Sequence, residues 1–283
     1  MMLIFNNKFD LSTHLTAFWQ SKKAIGFVPT MGALHQGHLS LLQKSMNENE
    51  ITVISIFVNP TQFNNLEDLK KYPRTLDADI EKIKSISDKI IIYAPTVEDI
   101  YENKTVSNHY NFDGLENQME GKFRPGHFDG VGEVVKRLFE NVKPTNAYFG
   151  KKDFQQLQIV KKLVEKLKSN VKIIGCEIFR EKNGLAMSSR NERLTSEERA
   201  DAKIIFETLT NAKQLFGTKS VKEVSKWVEN IFEKYPKFVL EYFEIADEKT
   251  LSSCKRKSKG KKYRAFIAVF VNSIRLIDTV SLY

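Results

Sequence analysis

The strongest constraint on the fold is a pair of short apolar runs that enclose one helical pattern near the start of the 283-residue chain. The run KKAIGFVPT ends as a buried strand, and ITVISIFVN is apolar nearly throughout. Between them, Leu39, Leu42 and Met46 recur at the spacing of one helix face. This order predicts a βαβ unit with parallel strands and a right-handed crossover, in a sheet covered on both faces.

The same alternation continues through the first two thirds of the chain. Three helical patterns are each followed by a strand pattern: KYPRTLDADIEKIKSI by KIIIYAP, GVGEVVKRLFENV by NAYFG, and KKDFQQLQIVKKLVEKL by VKIIGCEIF. We therefore expect residues 1–177 to form a doubly wound, Rossmann-like parallel sheet domain of the α/β class.

The pattern changes after this domain. Two long amphipathic helices, SEERADAKIIFETLTNAKQLF and SVKEVSKWVENIFEKY, precede the strand patterns EYFEIAD and YRAFIAVFVN. We expect residues 178–283 to form a smaller, lid-like α+β domain.

Composition narrows the class of protein. No apolar run approaches the roughly 20 residues that a membrane helix needs, and MMLIFNNKFD lacks the layout of a signal peptide. We expect a cytoplasmic protein without membrane contact. Cys176 and Cys254 lie in strand-like contexts without CxxC spacing, so we expect buried free thiols rather than a zinc site or a disulfide.

The positive charge is concentrated in one segment. KRKSKGKKYR, residues 255–264, contributes +7 of the formal net charge of +9. Because it lies between two strand patterns, we expect a solvated connection between strands. Contact with RNA or with a partner's acidic face is the alternative.

Polar segments follow four of the predicted strands. They are PTMGALHQGH, NPTQFNN, GKKDFQQ and REKNGLAMSSRN. Because parallel strands end at the same edge of a sheet, where α/β folds bind ligands, we expect these segments to line one cleft.

The first of these segments carries two histidines at the start of a helix. His35 and His38 project in similar directions, and Gly32 and Gly37 allow close approach of the backbone to a ligand. A helix N-terminus favours anions, so imidazole donors there suit a phosphate chain. Metal ligation, or histidines that only cap and pack, are the alternatives that the pair alone leaves open.

Several motifs in register resemble a known family. PTMGALHQGH is similar to the HIGH-type signature of the nucleotidyltransferase superfamily. The further segments FVNPTQFNNLEDLKKYPRTLDADI, EGKFRPGHFDGV, YFGKKDFQQLQIVKKLV and GLAMSSRN resemble the pantoate–β-alanine ligase family over nearly the whole chain.

The resemblance implies a two-step reaction. Pantoate attacks the α-phosphorus of ATP to give pantoyl adenylate and pyrophosphate, and the amine of β-alanine then displaces AMP to form pantothenate. It also implies Mg²⁺ on the ATP phosphates, a homodimer and no nucleic acid partner, with Asp79 as a possible outer partner of the ion. Metal ligands are not identified.

The resemblance also implies residue roles in catalysis. His35 and His38 would cradle phosphate, with His38 as proton donor, and Lys152 would bind the phosphates. Ser188 and Arg190 would close over the departing pyrophosphate in a mobile loop.

The implied ATP-binding set is larger than these catalytic residues. Gly150 and Asp153 would lie against the nucleoside and Phe179 would contact adenine through its backbone. The full ATP-binding set is Met31, Gly32, Ala33, Leu34, His35, Gln36, Gly37, His38, Gly150, Lys151, Lys152, Asp153, Phe179, Met187, Ser188, Ser189 and Arg190.

The acid substrate would be held by neutral groups. Gln62 and Gln156 match the two family glutamines for pantoate, Met31 supplies an apolar wall, and Asn59 and Pro60 shape the loop that carries Gln62.

Two departures and two rival functions accompany this interpretation. Lys151 stands where the family commonly has an acid, which predicts altered nucleotide affinity, and the basic run 255–264 is not a feature of the family and is given no catalytic role. His127 belongs to the family segment RPGHFDG, and its role is open between structure and ligand binding. One rival is an adenylyltransferase for a phosphorylated cofactor precursor, which would need a cationic pocket. The other is an RNA-binding module that uses the lysine-rich segment.

Overall fold

The computed structural model describes residues 2–102 and 104–283 and divides the chain into two compact units. The N-terminal unit comprises Met1–Gly150 and Gln156–Cys176, and the C-terminal unit comprises Lys151–Gln155 and Glu177–Tyr283.

The N-terminal unit is built on a six-stranded sheet in which all neighbouring strands run parallel. The strands are β1 (Ile4–Phe5), β2 (Ile25–Thr30), β3 (Ile51–Ile56), β4 (Ile91–Tyr93), β5 (Asn146–Gly150) and β6 (Lys172–Cys176). Their order is β1-β4-β3-β2-β5-β6, which confirms the predicted Rossmann-like sheet.

Helices connect these strands. They are α1 (Lys8–Gln20), α2 (Gln36–Glu48), α3 (Leu66–Lys71), α4 (Leu76–Lys84), α5 (Val97–Tyr101), α6 (Met119–Phe123), α7 (His127–Val142) and α8 (Phe154–Lys166). Short 3-10 helices span Pro60–Gln62, Leu115–Asn117 and Lys151–Asp153.

The strand order reverses at β2, which pairs with β3 on one side and β5 on the other. β2 and β3 are in register from Ile25 opposite Ile51 to Thr30 opposite Ile56, so both strands end at the same level. The loops after β2 and β3 therefore leave the same edge of the sheet, beside the switch point between β2 and β5, where such folds bind ligands.

Helix α2 packs on the sheet through the predicted face. Leu42 is fully buried and Leu39 nearly so, and Met46 packs against the same core cluster as Val28 and Ile54. This burial fixes the rotation of α2 about its axis and hence the direction in which its first turn points.

The C-terminal unit combines three helices with an antiparallel sheet, as the sequence predicts for an α+β domain. The helices are α9 (Ser196–Asp201), α10 (Lys203–Thr218) and α11 (Val221–Phe232), and the strands, in sheet order, are β7 (Phe238–Asp247), β8 (Tyr263–Val271) and β9 (Ile274–Ser281). A fourth 3-10 helix spans Ser189–Arg193.

Several boundaries differ from the sequence prediction. Within the pattern KYPRTLDADIEKIKSI, Lys71 ends α3 and α4 begins only at Leu76, because Pro73 and a non-helical Thr75 lie between them. The long pattern that begins at Ser196 is two helices that meet at Ala202. Strands β1 and β9 are not predicted by the sequence analysis, and β1 has only two residues.

Two compositional predictions are confirmed. Cys176 and Cys254 are buried free cysteines, and burial raises the pKa of the Cys254 thiol. The basic segment is an exposed connection from residue 255 to residue 262, although Arg264 lies in β8, is buried and pairs with Glu248 at 2.8 Å. Within the described ranges, no helix has the length and apolar character needed to cross a membrane.

Candidate active site

A buried carboxylate shapes the turn between β2 and α2. Asp79 on α4 is fully buried, and its carboxylate accepts the backbone N–H groups of Ala33 at 2.9 Å and Leu34 at 2.7 Å. Gly32 and Ala33 both have left-handed backbone angles, with φ of 80° and 49°. That conformation is unfavourable for a non-glycine residue, so the two charge-assisted hydrogen bonds stabilise a shape that the chain would otherwise avoid.

The two histidines of this segment stack at the start of α2. Their ring centroids are 4.0 Å apart with an interplanar angle of 29°. His35 is the N-cap residue, and its Nδ1 accepts the N–H of Gly37 at 3.1 Å. The Nδ1 of His38 accepts the N–H of His35 at 3.3 Å.

This arrangement fixes the tautomer of both rings. A backbone N–H can only donate, so each Nδ1 must carry its lone pair and each neutral imidazole carries its proton on Nε2. Two Nε2–H donors therefore accompany the N-terminus of α2, whose N–H groups and dipole favour negative charge. The geometry fits the predicted phosphate-binding role of the histidine pair.

The loop after β3 carries Gln62 in a defined orientation. Asn59 is buried, and its Nδ2 donates to the Oε1 of Gln62 at 3.1 Å, while Tyr101 donates its hydroxyl to Asn59 Oδ1 at 2.7 Å. The Nε2 of Gln62 donates to the sulfur of Met31 at 3.1 Å. Because its oxygen is occupied by Asn59, Gln62 presents its amide NH₂ as a donor, which suits an acid or hydroxyl oxygen of a ligand.

Met31 and Gln62, which both belong to the predicted acid-binding set, are in contact in the structure. Gln156 lies in the first turn of α8, directly after the segment that follows β5, and its half-buried side chain makes no hydrogen bond within residues 2–102 and 104–283. Gly150 ends β5, and a Cβ there would meet open space.

The C-terminal unit contains the lysine motif in the 3-10 helix Lys151–Asp153. Lys152 lies 3.4 Å from the Asp153 carboxylate, and its side chain is largely buried. Lys151, which replaces the acid common in the family, forms an ion pair with Glu177. The positive charge of Lys151 is therefore partly neutralised by a neighbour within the same unit.

A short hairpin precedes the serine and arginine motif. Arg180 and Ala186 pair across it, Gly184 turns with φ of 92°, and the N–H of Met187 donates to the carbonyl of Phe179 at 3.0 Å. The backbone of Phe179, the residue predicted to contact adenine, is thus hydrogen-bonded at the open end of this short hairpin.

The motif itself is a capped turn. The Oγ of Ser188 accepts the N–H of Arg190 at 3.3 Å and caps the 3-10 helix Ser189–Arg193. Buried Asn191 anchors this turn by donating to Glu181 at 2.7 Å and to the carbonyl of Ala186 at 3.1 Å. The predicted mobile loop is therefore hydrogen-bonded to the hairpin at its last residue.

A bidentate ion pair fixes the hairpin to the sheet of the same unit. Arg180 donates to both carboxylate oxygens of Asp278, at 2.6 and 3.0 Å. Burial raises the pKa of Asp278, and the Arg180 guanidinium opposes that shift.

Comparison with known proteins identifies the family. The model of the family described as pantoate-beta-alanine ligase matches residues 3–281. The chain belongs to this family. The chain is 68% identical to the pantothenate synthetase of Flavobacterium psychrophilum over 281 residues, which cover 99% of this chain and all of that relative.

Solved structures of the pantoate-beta-alanine ligase family share the fold. The crystal structure of pantothenate synthetase from Thermus thermophilus matches with a TM-score of 0.91 and 36% identity and covers both chains completely. The pantoate-beta-alanine ligase from Francisella tularensis, complexed with beta-gamma ATP and beta-alanine, matches with a TM-score of 0.81 and 34% identity over 100% of this chain and 98% of that one.

Asp79 and Tyr101 have roles that the sequence did not reveal, and the predicted role of Asn59 is defined by a contact. Asp79, considered from the sequence as an outer magnesium partner, uses both carboxylate oxygens to hold the turn before α2. Tyr101 orients Asn59, and Asn59 orients Gln62. Tertiary contacts reveal the roles of Asp79 and Tyr101, because Asp79 is 45 residues from Leu34 and Tyr101 is 42 residues from Asn59.

Metal-ligand clusters are absent from the part of the chain that the structure describes. No group of three or more histidine, cysteine or acidic side chains there could hold an ion. The paired histidines instead direct Nδ1 at backbone N–H groups.

Proposed function

We propose that the chain condenses (R)-pantoate with β-alanine to form pantothenate, with ATP cleaved to AMP and pyrophosphate through a pantoyl adenylate. The observation that carries this proposal is the stacked pair His35 and His38, whose Nδ1 atoms bind backbone N–H groups at the N-terminus of α2. An adenylate-forming enzyme needs a site that binds the negatively charged phosphates of ATP, because attack at phosphorus depends on positioning and charge neutralisation.

In the first step, a carboxylate oxygen of pantoate forms a bond to the α-phosphorus, and the bond from that phosphorus to the bridging oxygen of pyrophosphate breaks. The Nε2–H groups of His35 and His38 stabilise the negative charge that grows on the phosphate oxygens, and His38 donates a hydrogen bond to the phosphate chain. The α2 dipole adds to this stabilisation without any rearrangement of the protein.

Gln62 and Gln156 hold the acid, with Met31 beside its gem-dimethyl carbon. The amide NH₂ of Gln62 donates to an oxygen of pantoate, since its own oxygen accepts from Asn59. A neutral donor orients the carboxylate but leaves its charge available for attack, whereas a lysine or arginine would weaken the nucleophile.

In the second step, the amine of β-alanine bonds to the carbonyl carbon of the adenylate, and AMP leaves with the oxygen that joined it to the acyl group. The nitrogen loses one proton to solvent as the amide forms, so the products are an amide, AMP and a proton.

The remaining ATP residues follow from the family resemblance. Lys152 binds phosphate, Ser188 and Arg190 bind the departing pyrophosphate, and the backbone of Phe179 contacts adenine. Within the C-terminal unit, Ser188 and Arg190 belong to the capped turn, and the backbone of Phe179 is hydrogen-bonded in the hairpin.

Mg²⁺ enters this proposal bound to ATP. The donors at the start of α2 are N–H groups, which suit phosphate oxygens, and the nearby carboxylate of Asp79 is engaged by backbone N–H groups. The residues therefore fit an ion held by ATP's phosphates and water, as Mg²⁺ commonly is. Such an ion would neutralise part of the negative charge of the phosphates.

The resemblance also supports a homodimer that acts in the cytoplasm. Sedimentation equilibrium of the purified chain tests the first part, since a species of twice the 32.7 kDa chain mass is expected.

Isotope exchange between pyrophosphate and ATP tests the reaction. With magnesium and pantoate present and β-alanine absent, exchange that requires pantoate is expected, because the adenylate step is reversible. Folded protein that binds ATP but supports no exchange with pantoate would overturn the proposed substrate.

A further inference from the structure

His127 at the start of α7, and Arg124 just before it, are hydrogen-bonded to the loop that carries Gln62. The carbonyl oxygen of Gln62 accepts from the Nδ1 of His127 at 2.8 Å and from Nη2 of Arg124 at 3.3 Å. His127 is 5% exposed, whereas Arg124 and Gln62 are half-buried, so these contacts are partly shielded from solvent. We propose that His127 and Arg124 are positioning residues for pantoate, which act through Gln62 and set the affinity for the acid. This inference rests on the proposed function, and within it addresses the acid subsite alone.

The hydrogen-bond pattern defines the state of the histidine. A carbonyl only accepts, so Nδ1 of His127 carries the proton, and a guanidinium only donates, so Nε2 carries the lone pair that faces Nη1 of Arg124 at 3.2 Å. His127 is therefore neutral and bridges Arg124 to Gln62. Glu120, 3.6 Å from Arg124, supplies a countercharge from α6.

The same helix turn contacts the loop at a second point. The Nδ2 of Asn59 donates to the carbonyl of Gly130 at 3.1 Å. A Cβ on Gly130 would lie 2.4 Å from the carbonyl oxygen of Thr61, so backbone meets backbone there without a side chain between them. The loop is thus held by its backbone at Gln62 and by a buried amide at Asn59.

These contacts affect the binding of pantoate because they determine the position of the side-chain amide of Gln62. Asn59 fixes which face of that amide donates, and His127 with Arg124 fixes the backbone from which the side chain extends. Misplacement of a substrate-binding group by a fraction of an ångström weakens binding of the group it touches, while distant subsites keep their geometry.

The experiment compares steady-state constants in pantoate-dependent ATP–pyrophosphate exchange. His127→Leu removes the donor at nearly constant volume, and His127→Asn keeps an amide N–H near the Nδ1 position. We expect His127→Leu to raise KM for pantoate about tenfold, as one lost hydrogen bond implies, with KM for ATP changed by less than about threefold. His127→Asn should recover most of the pantoate affinity.

His14→Leu is the matched control. His14 lies on α1 and packs between Phe5 and Phe18, with ring centroids 5.2 and 5.5 Å away. Within the described ranges it shares no hydrogen bond with Gln62. This variant should leave KM for pantoate unchanged.

A second variant keeps the proposal testable if His127→Leu does not fold. Arg124→Lys retains the charge but loses the two-nitrogen geometry that meets both His127 and Gln62, so KM for pantoate should again rise selectively. Equal increases in both KM values, or unchanged pantoate dependence in folded variants, would overturn the positioning role. Failure of the proposed function is distinguishable, because the unmodified protein would then show no pantoate-dependent exchange.

Discussion

The Nδ1 of His38 accepts the backbone N–H of His35 at 3.3 Å, and this contact places the proton of the neutral His38 ring on Nε2. His38→Ala removes that donor, and turnover should fall by about 10²–10⁴-fold because a proton donor to the transition state is lost. Initial rates of pantothenate formation measure this loss. His38→Gln, whose amide nitrogen reaches the Nε2 position, should retain more activity than His38→Asn. Near-normal turnover in folded His38→Ala would remove the residue from the chemistry.

Asp79 should contribute both to stability and to ATP binding. Asp79→Asn replaces a charged acceptor of two backbone N–H groups, so the free energy of unfolding should fall by about 1–3 kcal/mol and KM for ATP should rise. Urea denaturation and exchange kinetics measure the two effects. Asp77→Asn, at an exposed position of the same helix, is the control and should change neither. Equal behaviour of the two variants would contradict the role of Asp79 in shaping the turn.

The two neighbouring lysines should differ in importance. Lys152→Met should lower turnover by about 10²-fold or more, since a cation at the phosphates stabilises charge in the transition state. Lys151→Glu, which restores the acid common in the family and loses the pair with Glu177, should change KM for ATP with turnover within about threefold. Parallel measurement of kcat and KM for ATP separates the two. A large loss of turnover in Lys151→Glu would show that this lysine acts in catalysis.

Gly130 should be intolerant of any side chain. Its Cβ would approach backbone atoms of Thr61 and Gln62 within 3 Å, so Gly130→Ala must displace the loop from α7. We expect a lower Tm and a higher KM for pantoate. Gly217→Ala, in α10 where a Cβ meets open space, should maintain or raise Tm. A Tm for Gly130→Ala equal to that of the unmodified protein would show that the loop adapts without strain.

Acid should destabilise the N-terminal unit in part through Glu133. Burial alone would raise its pKa, but hydrogen bonds from Tyr110, Arg137 and Asn108 hold the pKa below the usual range. A lowered folded-state pKa stabilises the protein above the unfolded pKa of about 4.3, and this contribution is lost as pH falls through the folded value. The free energy of unfolding should therefore decrease below about pH 4.

The variant Glu133→Gln tests this assignment. It should destabilise the protein at pH 7 and make the decrease in the free energy of unfolding at acid pH shallower. Urea denaturation between pH 3 and pH 7 measures both effects, because this range extends to about one unit below the usual glutamate pKa. Glu140→Gln, at an exposed position of α7, is the control. An unchanged acid dependence in Glu133→Gln would assign the effect to other carboxylates.

Periodicity and strand-end chemistry predict the parts of this protein that depend on local sequence. The apolar runs of β2 and β3 and the face of α2 follow from residue spacing, and the donors His35 and His38 follow from their place after a strand and before a helix. The order of motifs along the chain indicates the family, which the match over residues 3–281 confirms. These features are local because strand and helix periods are properties of a few consecutive residues.

Tertiary structure alone decides how these groups are oriented. The sequence cannot show that Asp79 binds the N–H of Leu34, 45 residues away, or that His127 binds the carbonyl of Gln62, 65 residues away. Nor can it show that Tyr101 sets the amide of Asn59 and thereby the donor face of Gln62. Sequence thus determined which chemical groups are available and where on the sheet they emerge. Their tautomers and hydrogen-bonding faces were decided by folding, because a hydrogen bond requires two partners within about 3 Å whatever their separation along the chain.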